Sequence, residues 1–82
     1  MRTREHVNQR RLSKDKAVLA FNAAAEASQM GDMATAKAKM LEAVTLNPQL
    51  GVAHSALAGF LYAEKDYAGA AAAADKALAL DP

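Results

Sequence analysis

Apolar residues recur along most of the chain at intervals of three and four, the spacing of one helix face. From about Lys14 to Gln29, Leu19, Ala20, Ala23, Ala24 and Ala27 fall on one side. From Met33 to about Leu46 the set is Met33, Ala36, Met40, Ala43 and Val44. A third helix is expected from about Leu50 to Glu64, with His54, Leu57, Ala58 and Leu61 on one face and Phe60 beside it. A fourth runs from Tyr67 to about Leu80 through Ala70, Ala74, Ala77 and Leu78. The first thirteen residues, MRTREHVNQRRLS, have only Val7 and Leu12 as apolar positions apart from the initial Met1. They read as a basic arm or as a helix leading into the next one, with Ser13 as an alternative cap for that helix.

The punctuation between helices repeats. Gly31-Asp32 can turn through a left-handed residue and cap the second helix, and Lys65-Asp66 stands in the same place later. Asn47-Pro48 stops the second helix and is suited to start the third, because proline cannot continue a helix but fits its first position. Asp81-Pro82 repeats that pair. Sliding the chain by 34 residues superposes Val18 on Val52, Ala24 on Ala58, Asp32 on Asp66, Ala36 on Ala70, Ala43 on Ala77, Leu46 on Leu80 and Pro48 on Pro82. The expected fold is all-α: two stacked helix-turn-helix repeats, a short α-solenoid, over 17–50 and 51–82. Residues 1–16 precede them as a basic arm or an extra helical extension.

A helix–turn–helix period of this length resembles the tetratricopeptide repeat. Over 51–82 the resemblance lies in Leu57-Ala58, Leu61, the turn Lys65-Asp66-Tyr67, Ala70, Ala77 and Pro82. Over 17–50 it lies in Gly31-Asp32, Ala36, Ala43 and Pro48. His54 and Ala74 depart from the larger aromatic residues usual at their positions, which thins the packing. The resemblance implies a protein–protein scaffold that binds a partner protein or peptide on a concave face. The lining positions it implies are Val18, Phe21, Ala25, Ser28 and Gln29, then Val52, Ser55, Gly59, Tyr62 and Ala63. Phe21 and Tyr62 are the expected anchors, although Phe21 could equally pack against the amino-terminal arm. The family's carboxylate-clamp positions hold Phe21, Ala25 and Ala56, so the resemblance does not extend to binding of an acidic carboxy-terminal tail.

A repeat buries its face only against a neighbour. The alternative function is therefore self-assembly through an open end formed by Tyr67, Ala70, Ala74, Leu78 and Leu80, giving a homo-oligomer. Origin of the chain in a longer repeat array, compatible with self-association, is a second outcome, and fold-back of the amino-terminal segment as a cap is a third.

Composition adds three constraints. Cysteine is absent, which removes disulfides and thiolate metal sites from consideration. Alanine dominates, so helix formation is favoured while little area is buried per residue. Charge is asymmetric. Residues 1–16 carry Arg2, Arg4, Arg10, Arg11, Lys14 and Lys16 against Glu5 and Asp15, a net +4, whereas 17–82 has a net −3. The basic arm suggests an RNA-associated adaptor as a weaker alternative, disfavoured by an acidic body and an arm without aromatics for stacking. A transit peptide is disfavoured by the two acids. No signal-peptide core or membrane-length apolar run is present, and a cytoplasmic location is expected. No enzyme motif, metal-ligand spacing or phosphate loop is found, so no catalytic residue, metal or cofactor is expected. Adjacent His54 and Ser55 point about 100° apart on a helix and cannot act as a nucleophile–base pair.

Overall fold

The computed structural model describes residues 2–80, with side chains described from Leu12 onward. These residues form α1 (Arg2–Gln29), α2 (Met33–Leu46), α3 (Gly51–Ala63) and α4 (Tyr67–Leu80). The helices pack as two hairpins, α1 with α2 and α3 with α4, and α3 lies against α2 to join them. The all-α fold of packed helix pairs is thus the fold of this chain.

The amino-terminal segment is a continuation of α1. The helix runs unbroken for 28 residues, about 42 Å at 1.5 Å per residue, twice the length of α2. Ser13 therefore lies inside a helix and caps nothing. The segment does not fold back over the hairpins. The absence of Gly and Pro between Thr3 and Met30 explains the continuity, since nothing there disfavours the helical backbone.

Both hairpin turns are built alike. Gly31 has φ +82 and Lys65 φ +67, each the left-handed residue that ends a helix. In the first turn the Gly31 amide donates to the Ser28 carbonyl at 3.0 Å and the Asp32 amide to Ala27 at 2.9 Å. In the second, Lys65 donates to Tyr62 and Asp66 to Leu61, both at 2.9 Å. The following aspartates then cap the next helix. Asp32 Oδ1 accepts from the Thr35 amide at 3.2 Å, and Asp66 Oδ1 from the Gly69 amide at 3.1 Å.

The link between hairpins differs from the expected proline start. Asn47 closes α2, with its amide on the Ala43 carbonyl. Its side chain accepts from the Gln49 amide at 3.1 Å, and α3 begins only at Gly51. Leu50 occupies the cap position without a side-chain bond. His54 Nε2 donates to the Pro48 carbonyl at 2.9 Å and ties α3 back to this turn.

The core is made mostly of alanine. Among the described residues eleven apolar side chains are buried: nine are Ala and the others are Met40 and Leu57. Small residues let the helix axes approach closely, at the cost of apolar area. One central cluster joins Ala20 and Ala24 of α1, Met40 and Ala43 of α2, and Ala53 and Leu57 of α3, with Phe21, Val44, Phe60 and Leu61 packed around it. Several expected inner positions are outside it. Leu19 is 67% exposed, and Met33 is exposed. The first helix instead buries Ala17, Ala20, Ala24 and Ala27, and the fourth buries Ala70 and Ala73.

Candidate docking surface

The outward side of the α3·α4 hairpin carries two open apolar grooves. One, of about 460 Å³, is lined by Ala58, Gly59, Tyr62, Tyr67, Ala70, Ala71 and Ala74. The other, of about 420 Å³, is lined by Gly51, Val52, Ser55, Ala74, Ala77 and Leu78. Ala74 belongs to both, so they form one surface along the length of the hairpin. The two tyrosine rings stand at its end, edge to face with centroids 5.3 Å apart. Their phenol oxygens provide polar handles on an otherwise apolar wall.

This surface combines two sets of residues kept separate in the sequence reading. Val52, Ser55, Gly59 and Tyr62 share the grooves with Tyr67, Ala70, Ala74 and Leu78. Ala70 is buried on the groove floor. Leu80 turns inward: a Cβ placed on Gly51 would lie 3.5 Å from Leu80 Cβ, so Leu80 packs on the start of α3. Ala63 sits elsewhere, in a recess of about 350 Å³ with Met33, Ala34, Lys37, Phe60 and Glu64. There Lys37 Nζ is 2.8 Å from Glu64 Oε1 and bridges the hairpins. Both side chains are substantially exposed, so the pair contributes at most about 1 kcal/mol.

The corresponding residues of α1 are placed differently. Phe21 is half-buried and packs against the central core cluster. Val18, Ala25 and Gln29 are exposed, while Ser28 is half-buried with its hydroxyl 3.9 Å from Met33 Sδ. Of the basic residues, Lys14 and Lys16 are exposed. Arg2, Arg4, Arg10 and Arg11 lie on the helical backbone, but their side chains fall outside the described residues.

Among the described residues, no group of three or more His, Cys, Asp or Glu could hold a metal ion. No buried side-chain N or O lacks a hydrogen-bond partner among them. The Asp32 carboxyl is held below its ordinary value by hydrogen bonds from the Thr35 hydroxyl and amide, which is a helix cap and not a reactive group. No helix among the described residues is long and apolar enough to cross a membrane. Comparison with family models, with curated proteins and with solved structures gave no match.

Proposed function

We propose that the chain is a helical-repeat scaffold of the tetratricopeptide type. It would bind a partner protein or peptide through the outward face of α3, as a cytoplasmic protein without catalysis of its own. One observation carries the proposal: the paired grooves along α3 and α4, ending at the Tyr62–Tyr67 pair. Tyr62 is 65% exposed beside a nearly all-apolar wall. A rigid aromatic next to a preformed apolar groove is the usual anchor of a protein interface. The 34-residue repetition and the matched aspartate-capped turns support the family reading.

The test is selection of helical and extended peptides from a displayed library, followed by titration against two variants. Tyr62→Ala removes the anchor and Ser55→Arg fills the second groove, and both positions are exposed, so the fold should tolerate them. Genuine groove binders should weaken by about 1–2 kcal/mol on Tyr62→Ala and be blocked by Ser55→Arg. Peptides indifferent to both changes would place binding elsewhere and end this reading.

A further inference from the structure

The two hairpins are related by a shift of 34 residues, and that relation shows what fits the open face. In the first hairpin the same surface is occupied by α3. Ala24 and Met40, which floor it, are 0% and 2% exposed because Ala53 and Leu57 of α3 pack over them. Their counterparts in the second hairpin are Ala58 and Ala74, which line open grooves. Val44 packs on the core, whereas its counterpart Leu78 is 63% exposed. The other half of the interface is duplicated too. Shifting back from α3, fully buried Ala53 corresponds to Leu19, and Leu57 to Ala23. Both line a shallow groove with Lys16 and Ala20 of α1 and Lys39 and Glu42 of α2.

We propose that two copies of the chain stack head to tail, the Leu19–Ala23 face of α1 in one copy seating on the α3·α4 face of the next as α3 seats on α1·α2. At two places the residues that differ between the internal and the external contact change in compensating pairs, whereas Leu50 and Ala56, packed on the core internally, correspond to Lys16 and Asn22. Internally, Lys37 faces Glu64 as an ion pair. Externally, the counterparts are Ala71 and Met30, an apolar pair, and Met30 is exposed in the single chain. Internally, Met33 and Phe60 line one recess. Externally, the counterparts are Tyr67 and Glu26, a phenol that can donate to a carboxylate. Glu26 stands where Phe60 packs on the core, so its carboxylate relies on the Tyr67 hydroxyl as a partner in the contact. The contact is heterologous, so it extends stepwise and does not close at a dimer. It would continue the same stack of hairpins from one molecule into the next.

This inference takes the docking surface above as given and names a second copy as its occupant. The experiment is light scattering on the full chain from low micromolar to about 1 mM, with Leu19→Lys and Leu78→Lys as variants. Both leucines are exposed, so each variant should keep its helical circular dichroism. The wild-type mass should rise with concentration past that of a dimer. Each variant alone should need at least about tenfold more protein to associate. An equimolar mixture of the two should form dimers and nothing larger, because the intact groove of one variant meets the intact α1 face of the other. A wild-type chain that stays monomeric throughout would overturn the proposal. So would assembly insensitive to Leu19→Lys, or a mixture that fails to recover the dimer. Peptides that bind the groove while the chain stays monomeric would end the stacking and leave the docking surface standing.

Discussion

The two hairpin turns offer an internal experiment on backbone strain. Gly31 and Lys65 occupy the same left-handed position, at φ +82 and +67, within the same pair of carbonyl-directed hydrogen bonds. For a residue with a Cβ this conformation costs roughly 1–2 kcal/mol. Replacing such a residue by glycine recovers that cost but adds freedom to the unfolded chain, worth about 0.4–1 kcal/mol against the fold. Lys65→Gly should therefore stabilise the chain by about 1 kcal/mol, even though it removes a side chain and adds no contact. Gly31→Lys should destabilise by a similar amount. A Cβ on Gly31 would meet nothing within 4 Å, so the cost there is conformational and not steric. The positions are in different turns, and the double swap should return close to the wild type. Thermal unfolding at low micromolar protein, where linkage to assembly is smallest, would read these as shifts of about 4–8 °C per kcal/mol for a chain of this size. Urea titration should show moved midpoints with unchanged slopes. Destabilisation by Lys65→Gly, or shifts of the same sign in both single variants, would refute the reasoning, because the two turns could not then share one conformational cost.

Three further outcomes are expected. A Cβ on Gly69 would sit 2.5 Å from Asp66 Oδ2 and disturb the cap on α4, so Gly69→Ala should lose most of the ~1 kcal/mol that Gly→Ala usually brings in a helix; the gain should reappear in an Asp66→Ala background, measured as a double-mutant cycle. The depressed Asp32 carboxyl stabilises the fold at pH values above its unfolded value near 3.8, and that contribution disappears as pH falls through the lower folded value; acid unfolding curves of Asp32→Asn should lack this component. Met40 is the one large side chain at 2% exposure in the central cluster, so Met40→Ala should cost about 2–5 kcal/mol by denaturant titration, enough to unfold much of a small domain.

What the sequence by itself determined was the number and order of the helices from residue 29 onward, and their ends apart from the start of α3. Those ends are local chemistry: Gly31 for the left-handed turn, Asp32 and Asp66 as side-chain caps, Asn47-Pro48 as a stop. Each acts through neighbours within a few residues, so each is visible without a tertiary partner. The amino-terminal start of α1 was not legible, because residues 1–13 lack an apolar face and a continuous helix there competes with a solvated arm on backbone preference alone. Facing was legible only in part. Alanine appears on nearly every side of α1 and α4, so periodicity could not separate buried Ala17 and Ala73 from exposed Leu19 and Leu78. That choice belongs to the tertiary structure: helices approach most closely where side chains are smallest, and the larger leucines are left on the surfaces that no helix covers. The same packing set Phe21 against the core and brought residues of α3 and α4 together into one surface. A residue's face is set by which helices meet, and among the described residues no helix covers the α3·α4 grooves.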